Sequence, residues 1–197
     1  RRVLFRSMLV RNFMKPNQTM GVKTEWIAWF FQVIATAKVA LSAHEAFEVG
    51  YLDPSKDIVE RNPNLVVRRA IDRVLELAPG YVQPAPEKIE VLGREAYGSL
   101  LMLITNFVES GNAHPHDGEV AKLLAKVMCG GDENSAPGYR TLDELLALER
   151  EAFAQAARTP GSRALMEYFF ANKKVPTGEA RFVVLDKATQ PAEPATV

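Results

Sequence analysis

Along most of this chain apolar residues recur at three- and four-residue spacing, in stretches opened by capping residues and closed by glycine. That spacing is the helical period with one side turned to a core, so the sequence predicts a mainly α fold. The residues from Thr24 to Ala37 are apolar almost all round, with Thr24 as the expected cap and most faces buried. Ser42 to Val49 carries the S/T-x-x-E capping box, followed by Gly50 in the position that ends a helix. Tyr51-Leu52 and Asp57 to Glu60 read as short extended pieces. Asn64 to Leu77 reads as a third helix, capped by Asn62 or Asn64, with Leu65, Ile71, Val74 and Leu75 on one side.

Pro and Gly cluster between Gly80 and Pro86, which marks the best boundary in the chain. Four more helices follow. Glu95 to Ser110 is the first, and Gly118 to Met128 is expected to start from Asp117 and stop at Gly130-Gly131. Leu142 to Arg158 opens with the capping box Thr141 to Glu144 and is expected to bury Leu142, Leu145, Leu146 and Phe153. Pro160 to Asn172 begins with the proline that a first turn tolerates. From Val175 onward the pattern fades, and the reading is a disordered tail. Within it, Phe182 to Leu185 fits either a docked strand or loose chain.

Composition closes several possibilities. Twenty-four Lys and Arg against 24 Asp and Glu leave a net charge of +0, without the basic surplus of a nucleic-acid binder. One cysteine, Cys129, excludes an internal disulfide or a cysteine-based zinc site and suits a reducing, cytoplasmic setting. The longest apolar stretch, Trp26 to Ala37, is too short for a transmembrane segment. The opening Arg1 to Ser7 reads as a scar translated from a sequencing adaptor, which makes the chain a fragment by expectation.

Catalytic motifs are scarce. The sequence has no G-x-G-x-x-G, P-loop, H-E-x-x-H or G-x-S-x-G motif. Cys129 has no local partner to activate it and reads as a bystander. His114-Pro115-His116-Asp117 is the sharpest cluster, since two imidazoles and a carboxylate suit a divalent metal or acid–base work. The same residues also suit a plain interhelical loop with Asp117 as the cap. The aromatic stripe from Trp26 to Phe31 suits a core, or the wall of an acyl cavity.

The segment Ile34 to Leu52, with its Ala35-Thr36-Ala37-Lys38 turn and Ser42-Ala43-His44-Glu45-Ala46, resembles the enoyl-CoA hydratase (crotonase) family. Ala37 stands where the commoner family pattern has glycine. From about Leu9 to Thr177 the chain is similar to bacterial fused 3-hydroxyacyl-CoA dehydrogenase/enoyl-CoA hydratase proteins of fatty-acid β-oxidation. The carrying pieces are Val91-Leu92-Gly93 before a Tyr97-containing helix, His116-Asp117, Gly130-Gly131, Leu145 to Phe153 and Lys173 to Pro176. Two departures are Ala113-His114-Pro115 before the His-Asp pair, and the twenty or so residues after Pro176.

The resemblance implies a parent enzyme that hydrates 2-enoyl-CoA and oxidises 3-hydroxyacyl-CoA with NAD. It places the hydratase glutamates and the NAD domain outside this chain, so it assigns no catalytic residue here. It implies a chain divided as a scar (1–7), the last helices of a crotonase-like domain (8–79), a linker (80–93), a helical extension (94–174) and a tail (175–197). Phe30, Phe31, Ile34 and Lys38 become the candidates for acyl-pocket wall or CoA approach. Expected partners are acyl-CoA thioesters, upstream domains of the same parent chain and a thiolase, with no metal. The competing readings are a stand-alone helical interaction module and a small metal enzyme using His114, His116 and Asp117.

Overall fold

Thr19 adopts extended backbone and its side chain accepts from the Val22 amide, so helix α1 starts there and runs Met20–Ala35. A computed structural model describes residues 18–83, 85 and 88–189; the expected scar at Arg1 to Ser7 and the last eight residues lie outside that range. Seven further helices follow among the described residues: α2 (Ala43–Val49), α3 (Val66–Leu77), α4 (Gly93–Glu109), α5 (Pro115–Cys129), α6 (Leu142–Arg158), α7 (Pro160–Asn172) and α8 (Glu179–Thr189). Strands β1 (Lys88–Val91) and β2 (Gly138–Thr141) pair antiparallel, with Ile89 opposite Arg140 and Val91 opposite Gly138. Among the described residues the fold is mainly α, with this one small sheet.

The core forms where α1, α4, α5 and α6 meet the sheet. Phe30, Leu92, Leu100, Met128 and Leu145 are its most deeply buried large side chains. Burying each contributes about 1.5–3 kcal/mol. The core crosses the Pro/Gly connector: Lys23 of α1 reaches Glu90 of β1 at 2.6 Å, with the lysine almost wholly buried. Breaking one side of such a pair would strand a charge in the interior.

Helix ends follow local chemistry closely. Thr141 and Glu144 form the full reciprocal capping box. At the end of α1, Lys38 N–H donates to Val33 O and Ala37 N–H to Ile34 O, which is a complete Schellman closure. That closure needs a left-handed residue, and Ala37 supplies it at φ 51°. A glycine would adopt this conformation without the Cβ clash, which gives the sequence departure at Ala37 a physical meaning.

Several expectations are corrected. Thr24 does not cap α1; its hydroxyl donates to the Met20 carbonyl inside the helix. Within Thr24 to Ala37, Ile27, Phe30, Phe31 and Val33 are buried and Trp26 and Ile34 half-buried, while Trp29 is exposed. Asp57 to Glu60 and Tyr51-Leu52 form no strand. Leu145 is buried as expected, but Leu142 and Leu146 are only half-covered and Phe153 is open to solvent. The segment from Val175 is not wholly disordered: residues 179–189 form α8, packed on α7, with Leu185 fully buried. Phe182 to Leu185 is therefore helix, neither strand nor loose chain. The sheet was not legible because its strands are only four residues long and β2 does not alternate, so the Ile89/Val91 alternation of β1 had no partner to announce it.

Candidate functional site

The start of α5 gathers the cluster singled out by sequence. Pro115 occupies the first turn, where its missing N–H costs nothing. The cap is His114: its Nδ1 accepts from the His116 amide at 3.1 Å. A backbone N–H can only donate, so the His114 proton sits on Nε2, which donates to Asp186 Oδ1 at 3.0 Å. Phe182 meets the same ring edge-on, with centroids 5.5 Å apart. Asp117 is not the cap. Its carboxylate takes both arms of the Arg181 guanidinium, through Nε at 3.2 Å and through Nη2.

His116 is buried beneath the start of α7. Its Nε2 lies 3.4 Å from Ser162 Oγ, and a methyl on Gly161 would fall 2.6 Å from its Nδ1. Glycine at 161 is what lets the ring lie flat against the α7 backbone. Burial pushes the His116 pKa below its ordinary value and the Arg181 charge pushes the same way, while Asp117 opposes them.

Chemically this arrangement is a clasp. Both nitrogens of His114 are used, Asp117 is committed to Arg181, and among the described residues no carboxylate is hydrogen-bonded to His116 to make a Ser–His relay. Among the described residues no three His, Cys, Asp or Glu side chains come together to hold a metal ion. Cys129 is fully buried within the core. Sequence reasoning missed Gly161, Ser162, Arg181 and Asp186; the last two lie in α8, whose faded pattern hid that it is a helix at all.

The acyl-pocket candidates are arranged differently. Phe30 and Phe31 are buried in the core, and Ile34 packs half-buried against it. Lys38 is exposed, with Nζ 5.8 Å above the Trp29 ring, a cation–π contact. A shallow groove of about 510 Å³ lies elsewhere, between the end of α5, β2 and α6. Lys126 and Arg140 face Asp132, Glu144 and Glu151 across it, with Lys126 to Glu151 at 3.5 Å. Such a mixed, open lining does not suit an acyl chain, which takes a mainly apolar pocket.

The remaining glycine motifs are sites of close approach. Gly93 sits at φ 61°, where a Cβ would lie 2.5 Å from the Pro137 nitrogen and 2.6 Å from the Ser135 carbonyl oxygen. A Cβ on Gly130 would strike Val91 at 2.6 Å. These glycines seat the sheet on α4 and α5.

A probable 3-hydroxyacyl-CoA dehydrogenase of Bacillus subtilis (strain 168) is 33% identical to the chain over 146 residues. The match takes in 73% of this chain and 18% of the relative, so the chain spans less than a fifth of that protein's length. No family model matches the chain. No solved structure matches it either. Among the described residues no helix is long and apolar enough to cross a membrane.

Proposed function

We propose that this chain is one part of a multifunctional fatty-acid β-oxidation enzyme, which oxidises 3-hydroxyacyl-CoA with NAD and hydrates 2-enoyl-CoA. The 33% identity to the Bacillus subtilis protein carries the dehydrogenase half of this reading; the resemblance of Ile34 to Leu52 to hydratases supports the other half. In this reading the chain supplies no catalytic group. Its glycines and its His114–His116 clasp build a scaffold, and Phe30, Phe31, Ile34 and Lys38 stand behind the acyl pocket. The chain carries no glycine-rich phosphate cradle for NAD, so that cofactor would sit on the rest of the enzyme. A thiolase would act on the product in the cytoplasm.

The test is enzymatic. The full-length product of the reading frame should reduce NAD in the presence of 3-hydroxyacyl-CoA, and this chain alone should leave crotonyl-CoA unhydrated. Hydration by the isolated chain clearly above a buffer control would place the active site here and sink the reading. A stand-alone interaction module is the second reading, for which the bare apolar face of α3 would meet a separate protein instead of the parent chain. A clean reading frame starting at Met8 would select it.

A further inference from the structure

Every apolar side chain of α3 is exposed. Val67, Val74 and Leu75 keep 64–70% of their surface, and Ile71 keeps 51%. At about 100° per residue, Val66, Val67, Ala70, Ile71, Val74, Leu75 and Leu77 fill one half of the helix. Arg68, Arg69, Asp72, Arg73 and Glu76 fill the other half. No other described helix combines such complete segregation with such complete exposure. The principal packing of α3 is on its own flanking 3₁₀ turns.

The chemistry of this face narrows its occupant. An anionic lipid surface needs cations free to meet it, yet Arg68 pairs with Asp72 at 3.1 Å, Arg69 with Glu60 at 3.2 Å and Arg73 with Glu76 at 2.9 Å. A partner helix covers a narrow seam, whereas this apolar arc spans about 180° and matches the wide stripe of a helix lying against a folded body. The Arg69–Glu60 pair also holds the neighbouring segment, with exposed Ile58 and Val59, beside the helix. The chain spans only 18% of the relative it matches.

We infer that α3 docks, apolar side down, into a hydrophobic groove on a folded domain of the polypeptide beyond the segment this chain represents. This rests on the proposed membership in a longer enzyme, and it names the surface through which the parts join.

Sedimentation velocity tests it. The probe is the Bacillus subtilis relative with the segment matching this chain removed. The intact chain should sediment as a monomer alone and as a one-to-one complex with the probe. Joint Ile71→Asp and Val74→Asp substitution should weaken the complex by roughly tenfold or more, while Asp72→Asn on the charged side leaves it intact. Because both positions are exposed, thermal melting should be unchanged; Ile71→Ala with Val74→Ala, which keeps helix propensity, checks that the loss is not unfolding. No complex, or one indifferent to both double variants, overturns the inference. So does self-association abolished by them, which assigns a second copy, or equally sensitive binding to phosphatidylglycerol vesicles, which assigns a membrane. NAD reduction by the full-length product is read separately, so a complex found beside an inactive full-length protein sinks the enzymatic reading and leaves the docking surface standing.

Discussion

Helices α3 and α6 look alike as sequences and behave oppositely as structure. Both are amphipathic and both are laced with charged residues, although Thr141 caps α6 and no side chain caps the first residue of α3. Leu145 of α6 is fully buried against α5, whereas Leu75 of α3 is 65% exposed. Periodicity therefore specifies which face of a helix seeks cover and leaves open what supplies the cover. The core around α4, α5 and the sheet takes in Leu100, Met128 and Leu145, and no residue of α3 belongs to it.

Four experiments bear on that contrast. The largest effect belongs to truncation in the covered region: Leu145→Ala should cost about 3 kcal/mol in urea unfolding, against less than about 0.5 kcal/mol for Leu75→Ala. Equal costs would erase the distinction between the two helices. Gly93→Ala comes next at about 2–3 kcal/mol, because the new methyl meets backbone atoms that cannot step aside and the residue sits at positive φ. A neutral result would mean that the sheet is not seated on α4 as described.

The third experiment addresses the clasp through pH. Burial holds the folded His116 pKa below its ordinary value of 6.5, so between those two values the unfolded chain binds a proton that the folded chain does not. The stabilising contribution is complete above pH 6.5 and is lost as pH falls through the folded value. Urea midpoints should therefore drop below pH 6.5, and His116→Gln should flatten that part of the profile. A slope unchanged by the substitution would place the titrating group elsewhere. The smallest effect is a gain: Ala37→Gly should stabilise by about 0.5–1 kcal/mol, since a left-handed alanine closes α1. A loss would show that Ala37 contributes packing that outweighs its strain.

Much of this fold was legible in advance because helix ends are local. The Thr141 box, Gly50 and Gly130 at φ 90° and 75°, and Pro160 at the start of α7 each act within four residues, so the sequence displays both cause and effect. The site was less legible. His114, His116 and Asp117 were visible as a cluster, but their partners are distant in sequence: Ser162 is 46 positions from His116, and Asp186 is 72 from His114. A histidine followed by proline carries no sign that it will cap a helix and clasp another.

Sequence by itself determined the helical character of the chain, its punctuation and its lack of a dinucleotide or hydrolase motif, because these depend on residues near one another. Only the tertiary structure decided that the His-Asp cluster is a clasp, that Gly93 and Gly130 are contact points, and that the end of the chain folds back as α8. Long-range packing chose among faces that local preference had left equivalent. It covered α1, α4 and α5 and left α3 bare, because burial needs a second surface and no stretch of sequence carries its own.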